Sequence, residues 1–168
     1  LDLKDIQGNI LRGYRVARAR HFALALTDSA GARSFINGLV GGDESLSPQI
    51  TTAADWQERP AYFLNIGFTW NGLQALGLPT ATLEQFPEAF REGPGQTQRA
   101  SEMGDTQQSA PENWIIGNPA VPVHVLLSLY TDEHQPQQME LQTGRLRQLF
   151  AAHRIKELSY HDASALPD

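Results

Sequence analysis

The sequence predicts an α+β fold, an antiparallel sheet carrying helices on one face. Three observations lead there. Segments 21–27, 61–69 and 123–130 alternate apolar with small or polar residues at the two-residue period of a strand. Segments 32–40 and 138–152 repeat apolar residues every three or four positions, as a helix buried on one side requires. The two kinds of segment are interleaved around a stretch of different composition at about 80–120.

Residues 1–20 read as an irregular arm with one short turn, because Gly8 and Gly13 interrupt any helix. In 21–27 Phe22, Leu24 and Leu26 share one face, Ala23 and Ala25 the other. Asp28 or Ser29 supplies an N-cap, and Ala32, Phe35, Ile36, Leu39 and Val40 form a helical stripe closed by Gly41-Gly42. A short strand at 50–53 precedes the stronger one at 61–69, whose Tyr62, Leu64, Ile66 and Phe68 lie on one side. A short helix over 70–78 stops at Gly77 and Pro79.

The stretch at 80–120 is a long insertion. It opens with a helix over 83–92 and then becomes rich in Gly, Pro, Gln, Ser and Asn, with Phe86, Phe90, Trp114, Ile115 and Ile116 as anchors. Val123, Val125, Leu127 and Leu129 face one way in the next strand. Met139, Gln142, Leu146, Leu149 and Phe150 make the last helical stripe, and 155–160 is a final strand. One domain over 1–168 results, its order fitting the ferredoxin-like pattern. The sheet's other face would show Ala23, Ala25, Phe63, His124, Leu126 and Tyr130. That mixture is too apolar for water, so a second sheet is expected to cover it.

Composition narrows the function classes. The 168 residues carry a net charge of −6, which leaves neither a basic footprint for nucleic acid nor a polybasic membrane patch. No apolar run is long enough to span a bilayer. The absence of cysteine removes disulfides, thiolate catalysis and Cys-ligated metals. His21, His124, His134, His153 and His161 show no metal-ligand spacing, and no Gly-x-Ser-x-Gly elbow or phosphate-binding glycine motif occurs. Arg12, Arg15, Arg18 and Arg20 read as a solvated basic edge, and Glu84, Glu88 and Glu92 as a charged outer helix face. Trp56, Trp70, Trp114, Tyr14, Tyr62, Tyr130 and Tyr160 read as packing residues with hydrogen-bonded tips. No catalytic, cofactor-binding or metal-ligating residue is assigned.

Several segments nevertheless resemble one family in collinear order. They are DIQGNILRGY (5–14), ARHFALALTD (19–28), ITTAADW (50–56), RPAYFLNIGFTWNGLQALGLP (59–79), FPEAFREG (86–93), SAPENW (109–114), VHVLLSLYTDE (123–133) and YHDASALPD (160–168). Together they resemble the N-terminal half of dye-decolourising (DyP-type) haem peroxidases. The resemblance implies two ferredoxin-like domains whose sheets meet, a dimeric α+β barrel arrangement. It also implies haem b in a C-terminal half, with a proximal His, a distal Arg, and an Asp in a Gly-x-x-Asp-Gly motif. None of these maps here: no Asp-Gly dipeptide occurs in the chain, and the motif is expected beyond Asp168. A glycine is expected after Thr106, where this chain has Gln107.

The expected partner is therefore the C-terminal haem-binding half, or a second copy of the chain, with no haem held by this chain alone. Three readings follow: an inert scaffold completed by that half, a stand-alone module that dimerises through its open sheet face, and a haem enzyme formed by self-association. Cytoplasmic, exported and shell-encapsulated locations all stay open.

Overall fold

The computed structural model describes residues 1–43, 45, 47–132 and 134–166. Glu133 of the expected turn, and Pro167 and Asp168 at the end of the last matching segment, lie outside the described residues. In chain order, a single-turn helix α1 (Gly8–Leu11) sits in the arm and leads to strand β1 (Arg18–Leu26). Helix α2 (Ser29–Gly41) follows, its start fixed by the Asp28 carboxylate, which accepts from the Ala30 and Gly31 N–H groups. Strand β2 (Tyr62–Phe68) runs into helix α3 (Trp70–Ala75), capped by Thr69. The insertion holds α4 (Thr80–Leu83), α5 (Glu88–Glu92) and α6 (Thr97–Met103). Strand β3 (Val125–Thr131), helix α7 (Pro136–Ala152) and strand β4 (Ile155–Ser164) complete the fold.

The strands form one antiparallel sheet in the order β2-β3-β1-β4, the predicted ferredoxin-like topology. Phe22, Leu24 and Leu26 of β1, Leu64 of β2, and Val125, Leu127 and Leu129 of β3 point to one side. There they pack against Phe35 and Leu39 of α2 and Met139, Leu146 and Phe150 of α7. Phe150 meets Phe22 and Phe35 edge-on, each at 5.7 Å between ring centroids.

The structure departs from the sequence reading in several places. Residues 50–53 are not a strand: their single bridge pairs Thr52 with Gln7. They still serve the sheet, because Thr51 N–H donates to the Leu64 carbonyl (2.8 Å) and Thr51 Oγ1 accepts from Leu64 N–H (3.0 Å). One step along β2, the Gln7 side-chain amide both accepts from Ile66 N–H and donates to the Ile66 carbonyl, each at 2.8 Å. Thr51, through its backbone N–H and hydroxyl, and the Gln7 side chain thus stand in for a fifth strand along this part of the β2 edge.

The helix expected over 83–92 breaks into α4 and α5 because Pro87 cannot continue a helix from the preceding turn. Strand β4 extends to Ser164 rather than stopping at Tyr160. Val40 is exposed rather than part of the α2 stripe, and Ile115, 94% exposed, anchors nothing. The loop departing from the family at Gln107 keeps a glycine-like backbone, since Gln107 has φ 54°.

Two outcomes are expected in denaturant unfolding. Gln7→Ala should destabilise the chain by about 1–3 kcal/mol, because it orphans both backbone groups of Ile66. Gln107→Gly should stabilise it by about 0.5–1 kcal/mol, since only glycine takes that φ without steric cost.

Candidate functional site

The face of the sheet turned away from the helices is where this fold offers a surface. Strand register arranges it in three rows. One row runs Phe63, Tyr130, Ala19, Ala163; the next runs Asn65, Ser128, His21, His161; the third runs Gly67, Leu126, Ala23, Ser159. An apolar row, a polar row and a row of small residues plus one leucine therefore cross all four strands. The sequence reading assigned Phe63, Leu126, Tyr130 and Ala23 to this face and missed the polar row. Its signal was the shared alternation of His21, Asn65 and Ser128 with those residues, but only register places them side by side.

The apolar row is already covered by the chain itself. Tyr14 of the arm stacks on Phe63 at 4.1 Å, Trp56 packs on it at 5.5 Å, and the Arg59 guanidinium sits over its ring at 5.6 Å. Phe63 is 1% exposed as a result. Burial raises the pKa of the Tyr14 hydroxyl, and nearby Asn65 offsets part of that shift. At the opposite end Leu126 is 47% exposed, and Ile115, Ile116 and Val121 of the insertion are exposed as well. The expectation that this face needs covering therefore applies to the Leu126 end alone.

In the polar row His21 Nδ1 lies 2.9 Å from Ser128 Oγ, and its ring meets Tyr130 edge-on at 5.8 Å. His124, expected on this face, instead turns its Nδ1 to accept from Leu26 N–H at 3.0 Å. Burial lowers the pKa of His124. His153 ends α7 near Phe35, and His134 lies in the turn before α7. Among the described residues no three His, Asp or Glu side chains are grouped as metal ligands are.

The basic edge is not simply solvated. Arg20 is 7% exposed and grips Asp162 of β4 with two bonds, Nε to Oδ1 at 2.6 Å and Nη2 to Oδ2 at 2.8 Å. Its Nη1 reaches Thr143 Oγ1 and Glu140 of α7, both at 3.1 Å. Tyr160 lies under this guanidinium at 4.9 Å and under that of Arg147 at 5.2 Å, while Arg147 pairs with Glu157. Arg12 pairs with Asp55 and lies over Trp56. Pro87 separates Glu84, at the end of α4, from Glu88 and Glu92 of α5, and Glu92 pairs with Arg99 at 2.8 Å.

The insertion also walls a cleft of about 610 Å³ between Trp70, Phe90, Trp114 and Pro122. Phe86 packs against Trp70 and Phe90 behind it, and Trp114 Nε1 donates to the Ser109 carbonyl. No histidine lines this cleft, and all five histidines lie among the described residues. This cleft therefore offers no axial base of the kind a haem iron needs.

No family model matches the chain. Among curated proteins it is 28% identical over 132 residues to Peroxidase 2 of Mycetinis scorodonius, an alignment covering 79% of this chain and 24% of that protein. Among solved structures it is similar along its whole length to a decolorizing peroxidase (DyP) from Auricularia auricula-judae, with a TM-score of 0.73 and 22% identity. A dye-decolorizing peroxidase in complex with 2,6-dimethoxyphenol matches with a TM-score of 0.72 and 22% identity. The chain has the fold of the dye-decolourising peroxidases. It spans 34% of the first of these structures and 35% of the second, agreeing with an N-terminal portion of such a peroxidase. No described helix is long and apolar enough to cross a membrane.

The Arg20–Asp162 clamp yields a pH prediction. Arg20 holds the Asp162 carboxyl below the usual aspartate range. A carboxyl with a lowered folded-state pKa adds stability that is complete above its unfolded value, near ~4, and is lost as pH falls through the folded value. Asp162→Asn should therefore flatten the acid limb of stability below about pH 4 and, because Asp162 is half-exposed, cost only about 0.5–1 kcal/mol at neutral pH. Denaturant unfolding of both chains across that range checks this.

Proposed function

We propose that this chain is the N-terminal scaffold domain of a haem-dependent peroxidase that uses hydrogen peroxide to oxidise dyes and other bulky aromatics. One observation carries the reading. The whole chain is matched by dye-decolourising peroxidases of which it spans only about a third. A further match of this kind, with a TM-score of 0.74 and 20% identity, is a dye-decolorizing peroxidase described by engineering of its heme pocket. Haem, when bound, supplies the iron that takes up the oxidising equivalents of peroxide. On this reading the remainder of the protein holds it.

The chain's own contribution is then structural. Its helix-covered core fixes a sheet whose outer face leaves Leu126 and Gly67 exposed to receive a second sheet. Covering Leu126 there, and with it Ile115, Ile116 and Val121, would be favourable at roughly 25 cal/mol per Å² of apolar area. The same strip also suits a second copy of the chain, which is the alternative reading: a module that dimerises through its open sheet face.

Haemin added to the purified chain should give no sharp Soret band and no peroxide-dependent dye oxidation, whereas expression together with the coding sequence downstream of residue 168 should give both. Robust turnover by the chain alone would overturn the scaffold reading. Light scattering distinguishes the alternative, which requires a dimer that Leu126→Asp disrupts.

A further inference from the structure

The cleft walled by the insertion carries features that packing alone does not require. Three aromatic rings line it, Trp70 of α3, Phe90 of α5 and Trp114, and each is only partly buried. Their positions are fixed by neighbours. Phe86 meets the Trp70 ring edge-on at 6.3 Å and lies 5.2 Å from the Phe90 ring. Trp114 is tied through Nε1–H to the Ser109 carbonyl at 2.8 Å. Gly95 leaves room beside its indole, since a Cβ there would stand 3.6 Å from the six-membered ring. No position of the three rows on the sheet's outer face lines this cleft. Of the apolar residues assigned to the contact with a second sheet, it holds Ile116 alone.

Planar polar side chains accompany the rings. Asn71 and Arg91 line the cleft, are exposed, and make no side-chain hydrogen bond or ion pair among the described residues. Gln96 uses its Oε1 to accept from Arg99 N–H at 2.9 Å and keeps its two amide donors. A guest must therefore offer flat apolar faces to the rings and hydrogen-bonding groups to these edges. A plain aromatic hydrocarbon would strip water from Asn71, Arg91 and Gln96 without replacing it. A strongly charged guest gains little, because Arg91 and Glu92 line the same cleft with opposite signs. A neutral sugar ring meets both demands: its C–H faces stack on indole, and its vicinal hydroxyls donate and accept. The volume of about 610 Å³ suits a short run of such rings.

We propose that this cleft binds a short segment of a neutral, β-linked polysaccharide chain of the glucan or xylan class. The sugar rings stack on Trp70 and Trp114, and Asn71, Arg91 and Gln96 hold their hydroxyls. Equatorial linkage keeps such a chain flat, with C–H groups on both faces, which matches a cleft walled by rings and edged by amides. The site would tether the protein to a polysaccharide surface. It uses no haem, so it stands or falls separately from the peroxidase reading.

The test is titration of the purified 168-residue chain with cellotetraose and with xylotetraose, followed by calorimetry and by tryptophan fluorescence. Saturable binding of at least one is expected, with a change in tryptophan emission. Trp70→Ala and Trp114→Ala should each weaken it by about tenfold or more, through loss of a stacking face. Asn71→Ala and Arg91→Ala should each weaken it about three- to tenfold, the loss of one hydrogen bond. Trp56→Phe, which alters the aromatic cover of Phe63 on the outer face, should leave the affinity unchanged. Asn71 and Arg91 are exposed, so the Asn71→Ala/Arg91→Ala double variant carries the test if the tryptophan variants fold poorly. Absence of saturable binding of both sugars, or an affinity unchanged in that double variant, overturns the proposal. So does binding of phenol or of a polyproline peptide in place of either sugar.

Discussion

The register of β1 is the constraint on which the rest of this structure depends. β1 is hydrogen-bonded on both edges, so a slip of one residue against β3 would exchange the two faces of the sheet. Phe22, Leu24 and Leu26 would leave the helix-covered core, and His21 and Ala23 would enter it. What prevents the slip is asymmetry between the faces. One face buries three large apolar side chains from β1 alone, and the other carries a histidine between alanines. The core, the Arg20 clamp and the polar row are all consequences of that single alignment.

The charged clamp shows how the alignment is secured at its weaker end. β1 and β4 are paired over almost all of β1, but the outer half of β4 is exposed and buries little apolar surface. Arg20 projects to the helix side at this end, where its guanidinium is mostly removed from water. Asp162, Glu140 and Thr143 supply the oxygens that such a buried charge requires. A fork-to-carboxylate pair has defined geometry as well as energy. It therefore fixes both the position of β4 along β1 and the seat of α7, where apolar packing alone would allow sliding.

Much of the fold was legible because it rests on short-range periodicity. The alternation of Phe22, Leu24 and Leu26, or of Val125, Leu127 and Leu129, specifies which side is buried without reference to any other segment. The helix stripes of Phe35 with Leu39 and of Leu146 with Phe150 do the same. What escaped was built by pairs remote in sequence. Gln7 reads as an arm residue, yet its amide completes the edge of β2. Arg20 reads as one of four surface arginines, yet Asp162, its partner, becomes a neighbour only when β4 pairs with β1. The polar row is the clearest case, because Asn65, Ser128, His21 and His161 share no spacing and are aligned solely by register. Pro87 is different in kind: its helix-breaking effect is local and can be read from the sequence alone.

The two ends of the sheet's outer face are therefore not equivalent, and this bears on how a neighbour can sit there. At the Phe63 end the chain supplies its own cover through Tyr14, Trp56 and Arg59, so a second sheet laid flat across the whole face would first have to displace a stacked aromatic pair. At the other end Leu126 and Gly67 are exposed, while Ala23 is buried beside the insertion. The polar row lies between them, and an apolar sheet pressed onto it would strip solvent from His21 without replacing it. A neighbour that fits this surface must therefore dock from the Leu126 end and bring polar groups, or leave water, where it crosses His21 and Ser128. That requirement follows from the order of the rows alone, whether the neighbour is the remainder of a longer protein or a second copy of this chain.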